Sequence, residues 1–172
     1  MKYLTDISNY KNNTDWIYIV TSVLFLEIVF IIVYSQMSSN LTEWYKKFGL
    51  NAIISDCAVI LLGIALTRYT YRYFIYPKYG FSPFLFILTA LSIQIAHDFI
   101  YYFAVVLPIP KGFNSIIDFM KNYGKTGGIY TVLGDSSMII AMSLFAMFLA
   151  SFEPHNSVYL LLFAIYMIPY VI

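Results

Sequence analysis

FSPFLFILTALSIQIAHDFIYYFAVVL, residues 81–107, decides the fold of this chain. Its only formally charged side chain is Asp98, and Pro108-Ile109-Pro110 follows at once. A hydrocarbon layer about 30 Å thick is crossed by about 20 apolar residues rising about 1.5 Å each, so this stretch is long enough to span a bilayer as one helix. The prolines after it, which lack an amide proton and clash with the preceding turn, end that helix.

Similar apolar runs occupy residues 16–34, 50–76 and 128–152. The first is aromatic at both ends, Trp16 and Tyr34, as residues at the two membrane interfaces are, and Thr14 or Asp15 can cap it. The second passes into a Tyr- and Arg-rich end, Arg68-Tyr69-Thr70-Tyr71-Arg72-Tyr73, and is expected to stop at Pro77 and Gly80. A last run, residues 157–172, is shorter and contains Pro169, which leaves open five spans or four spans with a re-entrant or interfacial tail. No signal peptide is read before the first run, which is expected to act as its own insertion signal. With 60% hydrophobic, 20% aromatic and 11% charged residues in a chain of 172, and a mean hydropathy of +0.74, an ordinary soluble domain is excluded. We therefore expect an all-α, polytopic membrane helix bundle. It forms a single membrane domain over residues 1–172, with four to five transmembrane helices and two short interfacial helices.

The interfacial helices are read from the connections. In residues 35–49, Leu41, Trp44, Tyr45 and Phe48 recur at helical spacing opposite Glu43, Lys46 and Lys47, giving a helix over 41–49. In residues 113–123, Phe113, Ile116, Ile117 and Met120 make one face, Ser115 with Asp118 resembles a capping box, and Gly124 is expected to end the helix. With alternating spans both connections share one membrane face. That face receives Lys46, Lys47, Lys111, Lys121 and Lys125, the other Lys2, Lys11, Arg68, Arg72 and Lys78, so the positive-inside rule leaves orientation undecided. The sequons at Asn12 and Asn40 fall on opposite faces and do not decide it either. Arg68 and Arg72 are expected to snorkel among Tyr69, Tyr71, Tyr73 and Tyr76.

Carboxylates inside the apolar runs are the functional signal, because a charge at mid-membrane costs several kcal/mol and is kept facing a bundle interior. Helix arithmetic sets Glu27 about 10 Å before the end of the first span and Asp56 about 8 Å after the start of the second. It sets Asp98 about 13 Å before the end of the third and Asp135 about 10 Å after the start of the fourth. All four lean towards the face that carries both interfacial helices. On the third span Gln94, Asp98 and Tyr102 share one side at four-residue spacing, and His97 and Tyr101 the adjoining one. The expected buried polar cluster is thus Glu27, Asp56, Gln94, His97, Asp98, Tyr101, Tyr102 and Asp135, with Trp44, Lys46, Lys47, Lys111, Phe113 and Lys121 expected to face a partner.

Chemistry needs more than carboxylates. The two histidines, His97 and His155, fall on different faces of the membrane, so no histidine pair marks a metal site, and none is assigned. Cys57 lies among Ala58, Val59 and Ile60 as a packing residue, and Ser92, Ser136 and Ser137 lack the surroundings of a nucleophile. Gly124-Lys125-Thr126-Gly127-Gly128 resembles a phosphate-binding loop but lacks its leading glycine and preceding strand. It is expected to be a flexible lead-in to the fourth span. No catalytic residue and no cofactor is assigned, and a net charge of +1 without a basic patch argues against nucleic acid.

Three stretches carry a family likeness. They are Asp56 with the helix end at residues 68–76, then Gln94-Ile95-Ala96-His97-Asp98 through Pro110-Lys111-Gly112-Phe113-Asn114, then Gly134-Asp135-Ser136. Together they resemble small multi-span membrane proteins of large nucleocytoplasmic DNA viruses of algae and protists. The resemblance implies a virion component of the internal membrane or capsid-associated layer, inserted first into the host endoplasmic reticulum membrane. Its implied partners are the lipid bilayer and capsid or other virion proteins, with self-association open. The first expectation is therefore a non-enzymatic structural protein linking lipid layer and protein shell, a minor capsid or inner-membrane component. The alternative is a small transporter, proton-coupled carrier or membrane enzyme using the buried carboxylates.

Overall fold

A computed structural model of the chain describes residues 4–34 and 39–172. Among these residues there are helices and no strands. Helix α1 is Asp15–Tyr34, α2 Ser39–Phe48, α3 Leu50–Tyr79, α4 Pro83–Val106, α5 Ser115–Gly127, α6 Ile129–Leu149 and α7 Pro154–Val171. Segments Asp15–Val33, Leu50–Tyr79, Pro83–Val106 and Tyr130–Leu149 are long and apolar enough to cross a membrane, compatible with an integral membrane protein.

Helices α1, α3, α4 and α6 form a closed ring in which each packs on the next, and α7 lies outside it along α1. The core of the ring is Ile19 and Val23 from α1, Ile64 and Tyr71 from α3, Phe86 and Ala90 from α4, and Ile139, Met142, Ala146 and Met147 from α6. Lipid is as apolar as these side chains, so burial in the bundle gains little by itself; close packing and hydrogen bonds between helices must hold it. Small polar residues of α1 supply them. Thr21 Oγ1 donates to the Ser157 carbonyl at 3.1 Å, Ser22 Oγ to the Met142 carbonyl at 2.7 Å and Tyr18 Oη to the Phe152 carbonyl at 3.2 Å. Interhelical hydrogen bonds in membranes average about 0.6 kcal/mol, so Ser22→Ala is expected to lower stability by no more than about 1 kcal/mol. An unfolding titration in detergent checks this, and a loss above about 2 kcal/mol would mean that the serine does more than bond Met142.

The tail does not fold back on itself. Helix α7 starts beside Tyr18 and Thr21 of α1, and at its far end Ile168 and Val171 pack against the cluster of Ile31, Trp44, Tyr45, Ala52, Ile53 and Phe119. It therefore runs parallel to α1 along its length. Its 18 residues span about 27 Å beside α1.

Helix ends differ from the sequence expectation in three places. Helix α3 continues past Pro77 to Tyr79, because a widened turn, Tyr71–Ile75, precedes it. There the Tyr76 amide bonds the Tyr71 carbonyl, and the chain passes the proline without the clash of a regular turn. Tyr71, fully buried, then fixes the α3–α4 connection: its hydroxyl accepts from the Ser82 amide at 2.8 Å and lies 2.9 Å from the Gly80 carbonyl. Helix α5 is capped by Asn114, one residue before the expected Ser115; the Asn114 side chain accepts from the Ile116 and Ile117 amides. Asp118 reaches back to the Gly112 amide at 2.9 Å. The same helix runs through Gly124 and ends at Gly128, whose φ of 50° favours glycine.

Residues 4–14 dock on the bundle through Ile7 and Ser8. Ile7 and Ser8 are fully buried, and the Thr5 amide donates to the Met147 carbonyl at 3.1 Å. Asp6, Asn9 and Asn12 each accept from the amide two residues on, three successive Asx turns that coil the segment over the end of the bundle.

Candidate functional site

Helix α2 is short, and its apolar face is aromatic. It lies against α1, α3 and α5 with Trp44 and Tyr45 turned inward, Trp44 being only 3% exposed. The Trp44 ring packs 4.8 Å from Phe48 and 5.3 Å from Phe119 of α5, so α2 and α5 together roof one end of the bundle. Glu43, Lys46 and Lys47 are exposed on the outer face.

Beneath this roof three helices meet in one polar contact. The Tyr45 hydroxyl lies 2.7 Å from Glu27 Oε1 of α1 and 3.0 Å from Asp56 Oδ2 of α3, and Trp44 Nε1 donates to the same Asp56 oxygen at 2.9 Å. Glu27 is fully buried, and its Oε2 has no hydrogen-bond partner among the described residues. Burial, with Glu27 and Asp56 adding to it, pushes the Tyr45 phenol far above its usual range, so it stays a hydrogen-bond donor. Asp135 flanks this contact and Asp98 lies beyond it. Asp135 of α6 lies within electrostatic reach of Glu27, Asp56 and Asp98, and beside Tyr123 of α5, whose phenol is pushed up to about 12 by burial first and Asp135 second.

Asp98 is held mainly by its own helix. Gln94 Nε2 donates to Asp98 Oδ2, and His97 Nδ1 lies 3.2 Å from Asp98 Oδ1, with the two side chains of that pair 44% and 27% exposed. Gln94 Oε1 accepts from Ser136 Oγ at 3.1 Å, which ties α4 to α6. His97 and Tyr101 stack, 5.8 Å between ring centroids and 8° between planes. Thus Glu27 and Asp56 meet through the Tyr45 hydroxyl, Asp135 lies within electrostatic reach of both, and Asp98 lies within reach of Asp135. Among the described residues no three His, Cys, Asp or Glu side chains converge as a metal ion requires.

Three expected roles are corrected. Trp44 does not face a partner; it is an internal ligand of Asp56, because the apolar face of α2 turns to its own bundle. Lys121 folds back so that its Nζ donates to the Ile109 carbonyl and closes the α4–α5 connection. Tyr102, expected in the buried polar cluster, lays its ring over Gly124, where an added Cβ would run into Cε2. Lys46, Lys47 and Lys111 are exposed, and Phe113 is 78% exposed. The close approach at Gly124 gives a prediction of sign. Glycine to alanine in an open helix stabilises by about 0.5–1 kcal/mol, whereas here the ring must move, so Gly124→Ala is expected to destabilise by about 1–3 kcal/mol. A gain in thermal stability of the variant in detergent would show that the ring yields freely.

A second buried polar site went unread in the sequence. Arg68 does not snorkel; it is fully buried, with Nη2 2.8 Å from Asp15 Oδ2, and its guanidinium lies 5.0 Å from the Trp16 ring centre. It donates to the carbonyls of Ile7, Asn9 and Asn12 at 2.8, 2.5 and 3.0 Å. Arg72 pairs more loosely with Asp6, 3.7 Å apart, and lies over Tyr76. The Asp6, Asn9, Asn12 and Asp15 spacing of three was the available signal. It marks a chain that turns repeatedly and points its carbonyls one way.

Fold and interior together define a helical membrane bundle with a hydrogen-bonded carboxylate pair under a two-helix roof at one end and a buried arginine at the other. Compared with known protein families, curated proteins and solved structures, the chain finds no match.

Proposed function

We propose that this chain is a non-enzymatic structural protein of a membrane lying beneath a protein shell, on its family resemblance the internal membrane of a virus particle, reached from the host endoplasmic reticulum. The observation that carries this reading is the roof. Helices α2 and α5 dock on each other over one end of the bundle and leave Lys46, Lys47, Lys111 and Phe113 outward, an apolar and basic surface suited to a protein partner. The partner in this reading is a capsid or other shell protein, with the bilayer around the bundle. Lysine-directed cross-linking of intact particles tests it. Cross-links from Lys46, Lys47 or Lys111 to a shell component are expected, and their absence, with cross-links only to other copies of the chain, would overturn the proposal.

A second reading, a proton-coupled carrier or membrane enzyme, is favoured by one observation: carboxylates from four helices lie within electrostatic reach at one depth. It expects a pH-driven flux in reconstituted vesicles that Asp98→Asn abolishes. Vesicles that stay tight under a pH gradient would remove it.

A further inference from the structure

We propose that Glu27, Tyr45 and Asp56 form a binding site for a single proton, and that its occupancy holds α2 on the bundle. The inference rests on counting donors. One tyrosine hydroxyl carries one hydrogen, yet Tyr45 Oη lies at hydrogen-bond distance from carboxyl oxygens of two different helices. With both carboxyls ionised, one of these contacts sets oxygen against oxygen with no hydrogen between them. With one proton on the pair, every short contact becomes a hydrogen bond: Glu27 donates to Tyr45, Tyr45 to Asp56, and Trp44 Nε1 to Asp56. Glu27 takes the proton in this arrangement, since it is fully buried with Oε2 unpartnered while Asp56 already accepts from Trp44.

The groups facing the pair supply no counter-charge. They are Tyr45 from α2, Cys57 from α3 and Asp135 from α6, with Asp98 of α4 and Tyr123 of α5 beyond. Helix α7, which packs on α1, keeps His155, Tyr159, Tyr166 and Tyr170 exposed. Among the described residues no lysine, arginine or histidine pairs with Glu27 or Asp56. When the proton leaves, two carboxylates face each other across one hydroxyl, and they gain water by letting α2 lift. The closed form holds one proton more than the open one, so raising the pH favours opening, by about tenfold in the open-to-closed ratio per pH unit. This does not depend on which partner meets Lys46 and Lys47.

The chain's two tryptophans allow a direct test. Trp16 is at the opposite end of the bundle, so Trp16→Phe leaves Trp44 as the sole reporter on α2. Iodide quenching of Trp44 in the full chain in detergent is followed from about pH 4 to about pH 10, the range in which carboxyl groups in proteins titrate. Quenching is expected to rise several-fold along a one-proton curve, and Glu27→Gln in the same background is expected to remove the transition and keep Trp44 shielded throughout. Should Glu27→Gln not fold, Asp56→Asn carries the same expectation. Trp44 shielding that is constant across the range, or a transition unchanged in the folded variant, would overturn the proposal.

Discussion

Replacing Arg68 by methionine is expected to destabilise the bundle by about 3–5 kcal/mol, the range found when one partner of a buried ion pair is removed. The chain of cause is short. Methionine fills much of the space but leaves Asp15, 4% exposed, as a buried carboxylate without its cation, and it takes the donors from three carbonyls at once. Those carbonyls belong to residues 7–12, so the coil of Asx turns loses its anchor with the charge. Thermal unfolding in detergent should show a lower midpoint, and protease should cut residues 4–14 before any other described segment. Arg68→Lys should lose much of the same stability, because one ammonium cannot reproduce a planar fork that spans Ile7, Asn9, Asn12 and Asp15. Adding Asp15→Asn to Arg68→Met should recover part of the loss, since the uncompensated charge is gone. A midpoint for Arg68→Met equal to that of the unchanged chain would mean that the network is not a determinant of the fold.

Trp44→Ala is expected to cost about 3–5 kcal/mol, as large aromatic truncations in a packed interior do. The indole fills the joint between α2 and α5, touching Phe48 and Phe119, and its Nε1 satisfies Asp56. Trp44→Phe separates the two roles. It keeps most of the ring packing and loses the hydrogen bond to a charged group, so it should cost about 1.5–3 kcal/mol. Hydrogen exchange localises the effect: amides of α2 and α5 should lose protection first in both variants. Uniform loss over α1, α4 and α6 would argue that the roof is not a separate unit.

The apolar runs were legible because membrane thickness sets a length that composition alone reveals. Residues 16–34, 81–107 and 128–152 became α1, α4 and α6 with ends moved by a few residues, and the amphipathic patterns of residues 41–49 and 113–123 became α2 and α5. Pro77 and Gly124 were misread for one reason. Each breaks a regular isolated helix, but a widened turn accommodates the first, and the Tyr102 ring explains the second by occupying the place of a Cβ.

The candidate site was legible in depth and illegible in direction. Helix rise placed Glu27, Asp56, Asp98 and Asp135 at one level, and that arithmetic depends only on position along each chain segment. Which of them meet depends on rotation about each helix axis and on where α2 lands. Periodicity reports that Leu41, Trp44, Tyr45 and Phe48 share a face; it does not report whether that face meets lipid, a partner or its own bundle, since all three are apolar. Arg68 shows the same divide from the other side. By itself the sequence determined an all-helical chain of membrane-crossing lengths with carboxylates at a common depth, because length, hydropathy and rise per residue are local quantities. Only the tertiary structure decided that Tyr45 bridges Glu27 to Asp56 and that residues 7–12 enclose Arg68, because a buried charge takes its partners from whatever segment the packing brings within about 3 Å.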